Sequence, residues 1–189
     1  MADYTGLSPD EVKTILNRYD LAEVVTITPL AGGQANSSFK LTTRSGVFIL
    51  SVCDEKGPDE VKTLVHLLLY LQKNAFPTSR PLLTREGDAF VMHRGKPVYI
   101  KEYLPGEVVN SLSLEMIYQV GEQMAGLHQI SPPDDLPLKF PYGIESFAVV
   151  TDSKMDHPYL PWLEEKRTFI SLNLDISCKT GLVHGDIYW

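Results

Sequence analysis

The sequence has few of the features that mark metal-binding, disulfide-bonded, secreted or membrane-spanning proteins. Its 189 residues include only two cysteines, Cys53 and Cys178, and no C-x-x-C pair, so we expect no zinc site and assign no metal ligand. Two cysteines this far apart are typical of free thiols in a reducing cytosol. The N-terminus lacks the basic-then-apolar pattern of a signal peptide, and no apolar run approaches the length of a membrane span. We therefore expect a cytoplasmic protein without a membrane partner.

Positive charge is also scarce. The chain has 17 lysines and arginines against 24 acidic residues, which gives a formal net charge of −7. A nucleic-acid partner usually requires a basic face, so we expect none. A phosphate ligand remains compatible with this charge, because backbone N–H groups and a bound metal can supply a local positive field. The chain has no repeat and no low-complexity tract, and it is long enough to bury a core.

Helix and strand signals follow one another along the first 104 residues. Ser8 can cap a helix that begins at Pro9, and Glu11 completes a capping box. Strand-like segments follow over residues 24–30, 37–43 and 47–53. A second helix is predicted to begin near Pro58. Short strands with tight turns between them are then predicted over residues 81–84, 89–93 and 97–104.

The chain changes character at Leu104-Pro105-Gly106-Glu107, which we interpret as a boundary between two lobes, 1–104 and 105–189. The second lobe is predicted to contain helices over residues 113–129 and 161–176, with a proline-rich loop over 131–143 between them. The inward side of the first of these helices is predicted to consist of Leu114, Ile117, Val120, Met124 and Leu127.

A glycine-containing turn over residues 31–38 joins the first two predicted strands. Gly32 and Gly33 let a ligand approach the backbone closely. Successive N–H groups, together with the hydroxyls of Ser37 and Ser38, suit the oxygens of a phosphate. A plain hairpin turn is the alternative, since no Gly-Lys-Ser/Thr follows to mark a Walker loop.

Three further positions at the ends of predicted elements can carry chemistry. Glu60 lies in the first turn of the second helix, where an acidic residue stabilises the helix dipole. The strand that ends at 102–104 presents backbone groups that suit an adenine edge, unless it is an ordinary edge-strand end. His184-Gly185-Asp186 follows an apolar approach, and a carboxylate there could orient a substrate hydroxyl and accept its proton. A surface turn is the alternative for this triplet.

The order of these features resembles that of protein-kinase-like phosphotransferases. The motifs are similar to those of the aminoglycoside phosphotransferase and choline kinase superfamily, and most similar to its homoserine kinase type II group. The residues that carry this resemblance are Gly32-Gly33-x-x-Asn36-x-x-Phe39 for the nucleotide loop, Val47 to Val52 for the third strand, Glu102 to Gly106 for the hinge, Gly126-Leu127-His128 for the first large-lobe helix and Leu182 to Asp186 for the H-G-D-x-x-x-x-N loop.

The resemblance implies an α+β, protein-kinase-like fold, with an N-terminal antiparallel sheet lobe that carries a helix and the first part of a helical C-terminal lobe. It implies a kinase that uses ATP and Mg²⁺ to phosphorylate the hydroxyl of a small-molecule alcohol. By the same resemblance, the nucleotide-binding residues are Gly32, Gly33, Asn36, Ser37, Glu60, Glu102, Tyr103 and Leu104. The glycines and Asn36 would lie over the phosphates, residues 102–104 would hold adenine, Glu60 would pair with a phosphate-gripping lysine, and Asp186 would be the catalytic base.

Two departures from the family pattern bear on activity. By this resemblance, Ser51 stands at the third-strand position that is usually lysine in the family. Either Lys40 or Lys56 compensates for it, or the phosphate grip differs in this branch. The chain resembles only the first half to two thirds of such a kinase, and the loop asparagine and the metal-binding aspartate would follow Trp189. Because Mg²⁺ between the phosphates is central to phosphoryl transfer, we expect little or no kinase activity from this polypeptide alone.

A second class of function is therefore kept as an alternative, a non-catalytic nucleotide-binding or assembly module of kinase-like fold. The phosphate acceptor cannot be read from these residues, so homoserine, choline, an aminoglycoside and a sugar all stay open. Apolar surface on the helices over 114–127 and 162–176 predicts a homo-oligomer, because large exposed apolar patches drive association.

Overall fold

A computed structural model of the chain describes residues 5–30, 36–107, 109, 111–136, 144–153, 156–174 and 181–184. The helices are α1 (Pro9–Leu16), α2 (Pro58–Lys73), α3 (Leu114–Gln129), α4 (Ile144–Thr151) and α5 (Leu160–Asn173). The strands are β1 (Val24–Leu30), β2 (Asn36–Thr43), β3 (Gly46–Cys53), β4 (Pro81–Leu82), β5 (Val91–His93) and β6 (Lys96–Glu102). The predicted order of helix, three strands, helix, three short strands and further helices is confirmed, whereas α4 was not predicted.

The six strands form one antiparallel sheet in the order β1-β2-β3-β6-β4, and β5 pairs with the other end of β6. The first three strands are consecutive hairpins. Helix α2 then connects β3 to the last three strands, so that β6 lies beside β3 although more than 40 residues separate them along the chain. This crossover makes β6 an interior strand, with β3 on one side and β4 on the other.

The turn between β5 and β6 shows how local chemistry determines strand pairing. Arg94 and Gly95 adopt positive φ values of 49° and 76°. Two successive positive φ values are the mark of a type I′ turn, whose twist matches that of the strands it joins. The turn sets His93 opposite Lys96 and Val91 opposite Val98.

One side of the sheet, which we call the α1 face, is covered by α1 and the residues that follow it. Ser8 caps the helix and Glu11 closes the predicted capping box. The apolar side chains of this core are all buried, and they are Val12, Ile15, Tyr19, Phe39, Leu41, Phe48, Leu50, Val52, Val98 and Ile100. The Tyr19 hydroxyl, buried with them, donates to the Val98 carbonyl at 3.3 Å, so this core leaves no phenol unpaired.

Helix α2 packs on the opposite side of the sheet, which we call the α2 face. Val61 and Val65 of α2 contact Cys53 of β3 and Tyr99 of β6 in a second buried cluster. Further along the same helix, Leu71 contacts Leu127 of α3 and Leu182 in a third cluster. Helix α2 therefore bridges the sheet and the helices that follow it.

Helices α3 and α5 bury much less than the sequence pattern predicts. Leu127 is the only one of the five residues predicted to point inward that is buried, while Leu114 is 86% exposed. Helix α5 has no buried residue, and its Leu172 is 80% exposed. The prediction of an inward face on α3 is therefore wrong for its first half, because no described element covers that side. None of the described helices is long and apolar enough to cross a membrane.

Candidate functional site

The α2 face carries polar side chains where the α1 face carries apolar ones. Because side chains alternate along a strand, the residues between those of the α1 core point to the opposite side. On β2 these are Asn36, Ser38 and Lys40, and on β6 they are Tyr99 and Lys101. Strand pairing aligns them in rows across the sheet, so the α2 face is the more polar side of the sheet, and α2 covers it at Cys53 and Tyr99.

The middle row of the α2 face contains Ser38, Ser51 and Tyr99. Ser51 lies opposite Ser38 on one side and Tyr99 on the other. Its hydroxyl is 3.3 Å from the Ser38 hydroxyl. Burial raises the pKa of Tyr99, and a hydrogen bond with Ser51 opposes that rise. Ser51 is therefore a buried hydroxyl whose partners among the described residues are neutral.

The next row contains two lysines on either side of Ile49. Lys40 on β2 and Lys101 on β6 each lie opposite Ile49. The Lys40 ammonium is 4.4 Å from the centroid of the Tyr103 ring, which places a cation over the aromatic face. Lys101 is half-buried, and burial lowers its pKa. This row supplies positive charge to the α2 face close to Ser51.

The glycines of the predicted phosphate turn, Gly32 and Gly33, lie outside the described residues. Asn36, which follows them, begins β2 opposite Cys53. Its side-chain Oδ1 is buried and has no hydrogen-bond partner among the described residues. A buried amide oxygen without a partner costs free energy, so this atom is suited to a donor from the turn or from a ligand. The predicted nucleotide contact of Asn36 stays a prediction that fits this position.

Ser37 points to the α1 face rather than to the α2 face. Its hydroxyl accepts from the Thr5 backbone N–H at 2.7 Å and donates to the Asp54 carboxylate at 2.6 Å. The Ser37 hydroxyl proton is therefore donated to another group of the protein. These two hydrogen bonds hold the N-terminal segment against the sheet. The predicted contact of Ser37 with phosphate stays a prediction.

Asp54 is the centre of this network, which the sequence analysis missed. Its side chain is only 4% exposed and accepts from Lys96 at 2.7 Å and from the Thr5 hydroxyl at 2.6 Å. Burial on its own raises the pKa of Asp54, but hydrogen bonds from Lys96, Ser37 and Thr5 outweigh it and hold the pKa below its usual value. The contacts join residues up to 91 positions apart, so no local sequence pattern predicts them.

The predicted adenine-binding residues lie where β6 ends. The Glu102 N–H donates to the Arg80 carbonyl at 2.7 Å and the Tyr103 N–H donates to the Val47 carbonyl at 3.0 Å. The Ser79 hydroxyl donates to the Glu102 carbonyl, which keeps a second lone pair. Leu104 is exposed, and within the described part of the chain its backbone N–H and C=O have no hydrogen-bond partner. One donor and one acceptor at the end of an interior strand are what an adenine edge requires.

Glu60 caps its own helix. Its carboxylate accepts from the Gly57 backbone N–H at 2.9 Å, at the exposed start of α2. This agrees with the helix-stabilising alternative given above, since a carboxylate at an N-terminus also interacts favourably with the helix dipole. The pairing of Glu60 with a phosphate-gripping lysine stays a prediction.

The approach to His184-Gly185-Asp186 is described as far as His184. Leu182 is buried in the cluster with Leu127 and Leu71, so the segment is anchored against α3 and α2. A Cβ on Gly181 would lie 3.4 Å from the His128 carbonyl oxygen, at the tight end of ordinary contact. The predicted catalytic base, Asp186, lies outside the described residues and stays a prediction.

The described residues do not form a metal site. In the described ranges no three histidine, cysteine, aspartate or glutamate side chains are grouped so that they could hold an ion. The residues present therefore do not fit Mg²⁺ on their own. The use of Mg²⁺ stays a prediction from the sequence.

Comparison with known proteins identifies the family. Residues 26–188 match the phosphotransferase enzyme family. The chain belongs to this family. The match begins in β1 and includes the sheet, α2, the end of β6 and the segment that contains His184 and Asp186.

Homoserine kinases are among the curated relatives of this phosphotransferase-family chain. It is 34% identical to the homoserine kinase of Caulobacter sp. (strain K31) over 129 residues, which are 68% of this chain and 40% of that protein. It is 25% identical to the homoserine kinase of Bartonella tribocorum over 195 residues, which span 100% of this chain and 61% of that protein. The chain therefore spans about half the length of these relatives.

Solved structures of small-molecule kinases share the fold of this family member. An amicoumacin kinase in complex with AMP-PNP, Ca²⁺ and Ami matches with a TM-score of 0.62 at 16% identity, over 95% of this chain and 61% of that one. A spectinomycin phosphotransferase in complex with ADP and spectinomycin matches with a TM-score of 0.55 at 13% identity, over 89% and 54%. The predicted α+β, protein-kinase-like fold is confirmed.

Proposed function

We propose that this chain is the nucleotide-binding part of an ATP-dependent phosphotransferase that acts on a small-molecule alcohol. The observation that carries the proposal is the end of β6, where the Leu104 N–H and C=O stay unpaired among the described residues beside a polar α2 face. Membership of the phosphotransferase enzyme family supports the same assignment.

Each predicted site residue has a role in this proposal. Adenine would hydrogen-bond to the backbone of Glu102 and Leu104, with Tyr103 held between them by its bond to Val47. Gly32, Gly33 and Asn36 would contact the phosphates from the turn before β2. Asp186 would accept the proton of the acceptor hydroxyl as the γ-phosphate is transferred. Mg²⁺, when bound, would neutralise charge between the phosphates.

The acceptor is proposed at the level of an alcohol, with homoserine as the first compound to test. Two curated relatives are named homoserine kinases, and they are longer than this chain. Fold neighbours are named for other acceptors, including spectinomycin and aminopropanol. A panel of homoserine, choline, an aminoglycoside and a sugar therefore covers the acceptor classes that the sequence leaves open.

Thermal unfolding of the purified chain with and without Mg·ATP tests nucleotide binding. A ligand that binds only the folded state raises the unfolding midpoint, so we expect a rise with millimolar ATP and none with the same concentration of inorganic phosphate. ATP turnover with the acceptor panel then measures activity. The sequence predicts turnover below about 1 s⁻¹ for this polypeptide alone. A midpoint unchanged by ATP would contradict the proposal.

A non-catalytic nucleotide-binding or assembly module is the second candidate, and one observation favours it. Ser51 occupies the lysine position of the family, and its hydroxyl bonds only to neutral groups among the described residues. A module of this kind would bind ATP but would not turn it over in the presence of any acceptor. An acceptor-dependent release of ADP would exclude it.

We also propose a boundary between two lobes, 1–104 and 105–189. The first lobe would contain the sheet with α1 and α2, and the second would contain helices α3 to α5. Limited proteolysis near Leu104 tests that boundary.

We propose self-association through the exposed apolar sides of α3 and α5, which is supported by the exposure of Leu114 and Leu172. Light scattering at micromolar concentration should give a dimer or larger species, and a clean monomer would contradict it. The cytoplasmic location stays a prediction from the sequence.

A further inference from the structure

Two neighbouring residues before β4 hold the backbone of Glu102 at the end of β6. The Glu102 N–H donates to the Arg80 carbonyl at 2.7 Å, and the Ser79 hydroxyl donates to the Glu102 carbonyl. In an antiparallel sheet the N–H and C=O of one residue face the same neighbouring strand. Both backbone groups of Glu102 therefore face the β4 side, and Ser79 and Arg80 together fix their direction.

The free N–H of Leu104 faces this same side. The Tyr103 N–H between them donates to the Val47 carbonyl of β3 at 3.0 Å, so it faces the other neighbour. Backbone groups alternate between the two sides of a strand, and the proline at position 105 favours an extended Leu104. The Glu102 carbonyl and the Leu104 N–H thus form an acceptor and a donor, two residues apart, on the β4 side.

The Ser79 hydroxyl decides how the acceptor of this pair can be used. A carbonyl oxygen has two lone pairs, which lie close to the plane of its peptide group. Ser79 occupies one of them, so a ligand donor must approach the other. The exocyclic amino group of adenine is such a donor, and it lies beside a ring nitrogen that can accept from the Leu104 N–H.

We propose that Ser79 is a positioning residue for nucleobase recognition. Its hydrogen bond holds the Glu102 carbonyl in the direction in which the free lone pair accepts from the exocyclic amino group of adenine. This inference rests on the proposed nucleotide-binding function and adds selection for purines that carry this amino group. The Arg80 guanidinium contributes little, because it is 4.0 Å from the Glu102 carboxylate and both side chains are exposed.

The test compares the binding of ATP with that of purine riboside triphosphate, which lacks only the exocyclic amino group. One hydrogen bond predicts that the wild-type chain binds ATP about tenfold more tightly. Ser79→Ala frees the Glu102 carbonyl to turn, so the preference should fall to about threefold or less. The loss should come from weaker ATP binding, with the affinity for purine riboside triphosphate unchanged.

Three further variants make the assignment specific. Ser79→Thr keeps the hydroxyl and should keep the preference within about twofold of wild type. Thr78→Val removes a hydroxyl from the half-buried preceding residue, and this matched control should leave both affinities unchanged. If Ser79→Ala does not fold, Ser79→Cys replaces it, because a thiol is a weak donor and should narrow the preference in the same way.

The possible failures are distinguishable. If the wild-type chain binds neither nucleotide, the proposed function is overturned together with this inference. If the wild type binds both equally well, nucleotide binding stands and the contact with the exocyclic amino group is overturned. A preference in Ser79→Ala as large as that of wild type would overturn this inference alone. An equal loss of affinity for both nucleotides would also overturn it, because Ser79 would then act on the whole pocket.

Discussion

The two faces of the sheet are built from the same strands but carry different side chains. Leu50 and Ser51 are neighbours on β3, and both are buried. Leu50 packs into the apolar core under α1, whereas Ser51 lies on the α2 face in a row of polar groups with Ser38 and Tyr99. The same alternation places Ile100 on the α1 face and Lys101 on the α2 face.

The α1 face therefore contributes mainly to stability, whereas the α2 face lies on the side of the candidate site. The α1 face carries the larger buried apolar cluster, so packing constrains most of its side chains. Among the residues that the structure describes, the α2 face has one buried polar atom without a hydrogen-bond partner, the Asn36 Oδ1. Buried polar groups without partners reduce stability, and they are usual where a ligand completes them. The comparison predicts large stability effects on one face and mainly binding effects on the other.

The largest expected effect comes from Leu50→Ala. Leu50 is fully buried in the α1 core, so truncation should lower the free energy of unfolding by about 2–5 kcal/mol. Leu172→Ala, on the exposed side of α5, removes the same atoms and should change it by less than about 0.5 kcal/mol. Chemical denaturation measures both. Equal losses for the two variants would show that the α1 face is not the main core.

Asp54→Asn should have the next largest effect. It removes the charge that Lys96 and the hydroxyls of Ser37 and Thr5 contact in a nearly buried position, and we expect a loss of about 1–3 kcal/mol. Asp20→Asn, an exposed aspartate, is the control and should have almost no effect. A variant as stable as wild type would contradict the structural role proposed for this network.

The contact between α1 and the β5–β6 turn predicts a pH dependence of stability. A backbone hydrogen bond from Ser8, helped by the Ser8 hydroxyl, His93 and Arg94, lowers the pKa of Glu11 to about 2. A carboxylate with a lowered pKa stabilises the fold above its unfolded pKa and loses that contribution as the pH falls toward the folded value. Glu11→Gln should therefore lower the unfolding midpoint at neutral pH.

The difference between wild type and Glu11→Gln should then shrink as the pH falls from about 5 toward about 2, because the wild-type carboxylate takes up a proton over this range. Thermal unfolding across this range measures it, with Glu55→Gln, an exposed glutamate, as the control. A difference that stays constant with pH would mean that the carboxylate charge does not stabilise the helix.

The smallest effect is expected for Ser51→Ala, next to Leu50 on the other face. The alanine removes a hydrogen bond to Ser38 and one to Tyr99, so the loss should be about 1 kcal/mol. ATP affinity should change little, because the Ser51 side chain is buried and carries no charge. A large loss of ATP binding would show that the Ser51 hydroxyl contributes to the nucleotide site. Chemical denaturation and ATP titration of the same sample measure the two effects.

Much of the fold follows from local patterns. The Ser8-Pro9-Asp10-Glu11 capping box, the turn at Arg94-Gly95 and the alternating residues of β2 are short-range signals, and the structure confirms the elements they predict. Helix α4 was missed because it lies beside a proline-rich stretch that resembles a loop. The predicted inward side of α3 was wrong because amphipathic spacing identifies an apolar stripe but not whether another element covers it.

The candidate site was only partly predictable for the same reason. The end of β6 at Glu102, Tyr103 and Leu104 was found from a strand that stops at a proline-glycine break. Ser37 was placed with the phosphate-binding residues, although the alternation of β2 directs its hydroxyl toward Asp54 and Thr5.

The sequence by itself determined the order of helices and strands, the turns between them and the family resemblance, because these depend on residues a few positions apart. Only the tertiary structure decided which polar groups meet. Pairing of β3 with β6 brings Lys101 beside Ser51, and folding of the N-terminal segment brings Thr5 to Asp54 and Lys96. Such contacts depend on strand order and register across a crossover of more than 40 residues, which no local interaction specifies.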